Sequence, residues 1–174
     1  MRVPESSCRW GEPPAEVFDF SRARCSLSAV ELRPLTPSDD ELLSSLEQQD
    51  DVWEFIGALP LPDDERPHHL FVIVEGQASV GVGGLVRSQA IDGDDFELFC
   101  ALRSEAQGHG FAKQACKLLM AWAFDTAHLE RIIACIDDGN DGARAIATTL
   151  GMTALRTLPL GRTVYVKHRG TATA

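Results

Sequence analysis

The chain has 174 residues, 44% hydrophobic and 24% charged, the make-up of one globular domain with a full core. A net charge of -10 and a pI near 4.9 argue against a nucleic-acid surface and fit small-molecule chemistry or a cationic substrate. No apolar run approaches the ~20 residues of a membrane span. Residues 1–10 lack the apolar stretch of a signal peptide, and five scattered cysteines without a C-x-x-C spacing point to reduced thiols in the cytoplasm rather than a disulfide frame or a metal site.

Residues 1–28 carry Pro4, Pro13 and Pro14 with isolated Trp10, Phe18 and Phe20, and read as an irregular arm. A short alternating strand follows at 29–35. Thr36-Pro37-Ser38-Asp39 announces a helix, with a Thr N-cap, Pro at the first position and an acid in the first turn. That helix has Leu42, Leu43 and Leu46 on one side, and Asp39, Asp40, Glu41 and Glu47 on the other. A second short helix spans 52–59, and 60–67 is a proline-bounded loop. Strands at 70–75 and 78–87 form a hairpin about Gly76-Gln77, with Gly81, Gly83 and Gly84 marking a bulge or a crowded face. A polar turn at 91–95 leads to a strand at 96–102.

The longest helix spans 108–128, with Phe111, Ala115, Leu118 and Trp122 recurring on one face. A strand at 131–136 precedes a helix at 143–150, which Gly151 closes. Strands at 153–158 and 163–168 flank a turn at 159–161. The order β-α-α-β-β-β-α-β-α-β-β predicts one α/β (α+β) domain over 29–169, followed by a tail at 170–174. Its centre is a mixed, largely antiparallel sheet of six to seven strands with flanking helices and a parallel crossover.

Gln107-Gly108-His109-Gly110-Phe111-Ala112 stands where a strand gives way to the longest helix. Glycine permits positive φ and close approach to a ligand. Successive N–H groups in such a turn, with the positive end of the helix, suit an anion such as a diphosphate. The plainer reading is a tight turn that starts a helix.

Gln107-x-x-Gly110-x-Ala112, together with the block from Asn140 through Ala143 to Leu150-Gly151-Met152, resembles the GNAT superfamily of acyl-CoA-dependent N-acetyltransferases. The resemblance covers about residues 29–169. Glu31-Leu32-Arg33-Pro34-Leu35 and Glu97-Leu98 look like its ribosomal-protein N-terminal acetyltransferase branch. The resemblance implies splayed fourth and fifth strands with the cofactor, acetyl-CoA, in the gap. Cys100, Ala101 and Leu102 would then face the pantetheine arm. The amides of Gly108, His109, Gly110, Phe111, Ala112 and Lys113, with Gln107 heading the motif, would hold the diphosphate, and Asn140 would bond near the pantetheine. An N–H near Cys100–Leu102 would stabilise the developing oxyanion, a contribution of ~3 kcal/mol in the transition state. The acceptor would be a primary amine, of a small molecule or a protein N-terminus, attacking directly in a ternary complex. No metal, nucleic acid or membrane enters this scheme, and the protein would work as a monomer or homodimer.

An amine attacks only when deprotonated, so a base is needed. Glu97 is the best-placed carboxylate; its alternative reading is a surface strand residue beside Asp94 and Asp95. Asp137 is the second candidate. The chain departs from the family at several points. Ala147 stands where many relatives have a tyrosine that protonates the thiolate, and Ala143 where the branch offers a serine. Cys135 replaces a common glutamate. Tyr165, the single tyrosine, either reaches the acceptor site or packs at the sheet edge. A catalytically weak acyl-CoA sensor therefore remains the alternative function. Cys100 is read as a small buried residue rather than a covalent nucleophile, and His68 and His69 as surface side chains rather than metal ligands. Lys113 and Arg144 have the reach for the adenine end of the cofactor, and Trp53-Glu54-Phe55 falls where the family walls its acceptor site.

Overall fold

β-branched and aromatic runs separated by turn residues pair into a sheet with strand order β1-β2-β3-β4-β5-β7-β6. The strands are β1 (Val30–Pro34), β2 (His69–Glu75), β3 (Ala78–Arg87), β4 (Phe96–Leu102), β5 (Arg131–Asp137), β6 (Thr153–Leu158) and β7 (Arg162–His168). The helices are α1 (Asp40–Glu47), α2 (Asp50–Phe55), α3 (Phe111–Asp125) and α4 (Asp141–Thr149). The computed structural model describes residues 30–56, 59, 69–88, 90–91 and 95–170. The expected arm at 1–28, the loop at 60–67, His68 and the last residues of the tail lie outside it, as does the Trp53 side chain.

Every neighbouring pair is antiparallel except β4 and β5, which run parallel. Their ladder holds two residue pairs, Phe96↔Ile132 and Glu97↔Ile133. Beyond Glu97 the strands part, while β3 stays paired with β4 as far as Gly81↔Leu102. The closed end is pinned by a fork-on-fork ion pair: Arg131 donates to Asp95 through Nε at 2.6 Å and a terminal nitrogen at 2.7 Å. Asp95 is buried just ahead of β4, and Arg131 opens β5.

Each face of the sheet has its own helices. Ala115, Leu119, Trp122 and Ala123 of α3 and Ala147 of α4 pack on Ile73, Leu85, Leu98 and Ile132. Leu42, Leu43 and Leu46 of α1 pack with Val52 on Val72, Val82 and Ala101 of the opposite face. The α3 face is thus centred on Ala115–Leu119–Trp122, with Phe111 and Leu118 only half-buried at its margin. The glycines of β3 report crowding: a Cβ at Gly81 would lie 2.3 Å from Ala101 O, and one at Gly84 2.2 Å from His69 O. A register shift also interrupts the β2–β3 ladder at Ile73/Val74, so both predicted explanations hold.

Asp39 departs from the expected acidic outer face. It is 6% exposed and ends a short 3-10 turn, Pro37–Asp39. Its carboxylate accepts from the Thr36 N–H at 2.9 Å and hydroxyl at 2.8 Å, and from Arg33 at 2.9 and 2.6 Å. The Arg33 guanidinium first, then Thr36, holds its carboxyl down at about 2 against the penalty of burial. Because the folded-state value lies below the unfolded one, the stabilisation is present above the unfolded pKa and is lost as pH falls towards 2. Asp39→Asn should cost about 2 kcal/mol in urea unfolding near neutral pH. The gap from wild type should close near ~pH 2; a gap unchanged at acid pH would show the pair is not the cause.

Candidate active site

The separation of β4 from β5 opens a cleft of about 1210 Å³ through the sheet. Its β4 wall runs from Glu97 to Leu102, and its β5 wall from Ala134 to Asp137. Arg103 N–H bonds to Val80 O on β3 at 2.9 Å. Main-chain groups alternate between the two edges of a strand, so those of Ala101 turn to β3 and those of Cys100 and Leu102 turn to the gap. Of the three residues predicted to pair with a ligand there, Cys100 and Leu102 present main-chain groups.

The mouth of the cleft is the glycine turn. A 3-10 turn, Ser104–Ala106, leads into Gln107, and Gly108 and Gly110 take φ of +75° and +80°. A Cβ at either would meet nothing within 4 Å, so the space in front of both is open. The helix therefore begins at Phe111 rather than at Gly108 as the periodicity suggested. Its first hydrogen bond runs from Gln114 N–H to Gly110 O at 3.2 Å. The N–H groups of Phe111, Ala112 and Lys113 precede that bond at the positive end of α3. His109 is exposed; its Nδ1 lies 2.8 Å from Gln107 O, and its ring stacks on Phe111 at 5.6 Å. Lys113 is exposed on the lining of the cleft, whereas Arg144 pairs with Asp141 and does not line it.

The Gln107 amide, on the lining of the cleft, donates to Asp51 of α2 and, at 3.4 Å, to Leu102 O. Gln49, between α1 and α2, accepts from the Ser104 hydroxyl at 2.6 Å and from Ser104 N–H. These contacts bind α2 to the β4–α3 connection, with Phe55 beside Gly139 at the β5 side. Asp51 and Gln49 were not singled out in the sequence; an acid and an amide at the start of a short helix carry no local signal of the half-buried contacts they make. Asn140 caps α4, its Oδ1 accepting Ala143 N–H at 3.0 Å, so only its NH₂ is free to face the cleft it lines.

Glu97 sits where the strands part. Ser88 donates to its Oε2 at 3.2 Å. Burial pushes its carboxyl above the ordinary value, opposed by hydrogen bonds from Ser88 and Cys135 and by the charge of Arg162. Cys135 faces it from β5, its thiol pushed up to about 12 by burial and then by the Glu97 charge. Asp137 lines the cleft too, but Arg162 engages both its oxygens, at 2.8 and 3.2 Å. A smaller recess, lined by Ala90, Leu158, Pro159 and Leu160, meets the cleft at Glu97, Asp137 and Arg162.

Tyr165 is half-buried against the α3–α4 core on the opposite face of the sheet and does not line the cleft. Its neighbour Val164, paired with Cys135, takes the Glu97 side. His69 packs among Phe96 and Trp122, at 5.7 and 4.8 Å. Among the described residues no group of three His, Cys, Asp or Glu side chains is arranged to hold a metal ion. No described helix is long and apolar enough to cross a membrane.

Residues 29–153 match the family model described as an acetyltransferase (GNAT) domain. The chain belongs to the GNAT acetyltransferase family. It is therefore an acetyl-CoA-dependent acyltransferase. No curated protein sequence matches the chain significantly. Among solved structures it is similar to an acetyltransferase from Agrobacterium tumefaciens str. C58, at 21% identity and TM-score 0.66, over 88% of this chain and 98% of that one. It is also similar to spermidine N-acetyltransferase from Vibrio cholerae, solved with CoA and spermine, at 16% identity and TM-score 0.69, over 82% and 97%. Ribosomal-protein-S5-alanine acetyltransferase from Vibrio fischeri gives 15% identity and TM-score 0.64, over 83% and 96%. At such identities the likeness concerns the fold.

Within this acetyltransferase, Cys100 is a poor nucleophile. Contact with Cys116 and burial raise its thiol well above the ordinary value, so it is protonated near neutral pH. Incubation with acetyl-CoA alone should leave Cys100 unmodified by intact-mass measurement. A stoichiometric acetyl adduct on it would contradict the protonated state.

Proposed function

We propose that this acetyltransferase moves an acetyl group from acetyl-CoA to a primary amine, of a small molecule or a protein N-terminus, by direct attack in a ternary complex. The catalytic domain is the span 29–169. The carrying observation is Glu97, a half-buried carboxylate at the junction of the cleft and the smaller recess. Two ligands entering from those two sides would meet at it.

The residues at the mouth fit an acyl-CoA. Gly108 and Gly110 leave their ligand side open, and the amides of Gly108, His109, Gly110, Phe111, Ala112 and Lys113 surround one anionic group at the start of α3. Gln107, on the lining of the cleft, heads the motif and braces that turn through Asp51 and Leu102 O. Main-chain groups of Cys100 and Leu102 would pair with the pantetheine arm, Ala101 would support them through the β3 ladder, and the Asn140 NH₂ would lie beside the arm. A Cys100 or Leu102 N–H turned into the gap would hold the thioester oxygen as charge develops on it.

Glu97 takes the proton that the ammonium form of the acceptor must lose, and the new C–N bond forms as the C–S bond breaks. The attacking nitrogen loses its second proton as the amide forms, and that proton reaches the thiolate through water, since Ala143 and Ala147 offer no hydroxyl there. Glu97 and Asp137 against one Arg162 leave the junction net negative, which favours a cationic amine. The same missing hydroxyls support the second reading, an acyl-CoA-binding sensor. Tight acetyl-CoA binding without CoA release on any primary amine would select it.

Because the Glu97 carboxyl is raised, turnover should climb with pH as it deprotonates. Glu97→Gln should lower kcat by about 100-fold and flatten that limb in a CoA-release assay over an amine panel. A wild-type pH profile in this variant would remove Glu97 as the base. Gly110→Asp should abolish acetyl-CoA binding by calorimetry, because the carboxylate meets the diphosphate. A circular-dichroism spectrum like wild type would show the fold intact, and unchanged affinity would refute the diphosphate site.

A further inference from the structure

The smaller recess has a mixed lining. Glu97, Asp137 and Arg162 supply its charge, and Ala90, Leu158, Pro159 and Leu160 its apolar surface, around a volume of about 560 Å³. Its walls are tied to the sheet. Arg156 of β6 donates to Ala90 O at 3.2 Å, joining the stretch after β3 to the β6–β7 hairpin. The hairpin tip is held on the end of β5: Asp138 N–H donates to Gly161 O at 2.8 Å, and Arg162 engages Asp137 at 2.8 and 3.2 Å. Leu158 packs against Ile133, Val164 and Val166. Leu160 is the exception on this hairpin. Leu158↔Arg162 is the last pair of the ladder, so Pro159, Leu160 and Gly161 make the turn. Leu160 takes φ of +67°, a left-handed conformation that crowds a Cβ and that glycine or asparagine usually fills. The residue is also fully exposed, at 102%. Neither backbone preference nor core packing accounts for a leucine there. An apolar side chain kept in the open, at a backbone cost, on the rim of a recess that holds Glu97 is explained by a ligand that covers it.

We propose that the recess takes an acceptor with an apolar group a few bonds from its ammonium, the ammonium meeting Glu97 and the apolar group lying against Leu158, Pro159 and Leu160. The inference rests on reading the junction at Glu97 as the place where acceptor and cofactor meet. It narrows the acceptor from any primary amine to a branched-alkyl or aryl-alkyl amine, or a peptide N-terminus whose first side chain is apolar. The chemistry these share is an ammonium drawn by the acids and a nearby hydrophobic group taken out of water. Leu160 is then a specificity-determining residue, and its uncovered side chain is half of a contact that the acceptor completes.

The test is a methyl NMR titration of the full chain, saturated with CoA, with isoamylamine against ethylamine. The two amines are of like basicity and differ in apolar reach. A tripeptide beginning with leucine against one beginning with alanine runs the same comparison for a peptide N-terminus. The larger apolar group should bind about tenfold tighter in at least one pair, and the pair with the larger ratio tells a free amine from a peptide N-terminus. Leu160→Asn and Leu160→Gly both remove the apolar side chain and suit the left-handed turn. Each should unfold at a temperature no lower than wild type, while the preference falls to about threefold or less. A preference lost from a chain at least as stable separates ligand contact from packing. Equal affinities within both pairs, no bound amine, or an unchanged preference in both variants would overturn the proposal. The two readings fail separately. Amine bound with this preference but no CoA release from acetyl-CoA removes acetyl transfer, while CoA release without the preference removes the apolar subsite.

Discussion

The site depends on one interruption of hydrogen bonding. Parallel strands normally run paired along their shared length, since unpaired main-chain groups inside a protein are costly. Here β4 and β5 share two residue pairs and then diverge. The Asp95–Arg131 fork closes one end, while α3 and α4 fill behind the divergence on one face. What is left is a slot lined by main-chain donors and acceptors that the protein itself does not use up. A ligand bearing amides along its length can complete the interrupted ladder. The cleft is therefore a built feature of the sheet rather than a surface depression.

The electrostatics follow the same geometry. The chain is strongly acidic overall, yet the mouth of the slot is a helix start with open glycine turns. Positive potential there comes from main-chain dipoles, so it needs no cluster of basic side chains. At the other end, two carboxylates share one guanidinium at the junction with the smaller recess. The two ends of the slot therefore differ in electrostatic character. Between them, α2 is tied to the β4–α3 connection through Gln49–Ser104 and Asp51–Gln107, so the wall over the slot and the glycine turn are mechanically joined.

Much of this was legible in the residues. The order of elements along the chain and nearly all their positions follow from period-two and period-3.6 patterns with strong punctuation at Gly76, Gly151 and Gly161. The glycine turn was legible because positive φ at two closely spaced positions has few other causes. Helix ends were less so: Gly108 looked like a helix start, but left-handed φ at 108 and 110 delays α3 to Phe111. Asp39 looked like a surface acid because the helical pattern groups it with Asp40, Glu41 and Glu47, and that pattern does not show that Arg33, on the strand just before the turn, folds over it. Tyr165 was ambiguous because strand parity, not composition, decides its face.

By itself the sequence determined the elements, the glycine turn and the family, because these rest on local backbone preference and on short spacings along the chain. The tertiary structure alone decided which chemical groups meet. Ser88, Glu97, Cys135, Asp137 and Arg162 come from β4, β5, β7 and the end of β3, and only the register of four strands brings them together. The same register set Tyr165 on the far face and turned the Cys100 and Leu102 main chain into the gap. Hydrogen-bond parity across a sheet is a property of pairing, and pairing is not written in any one segment.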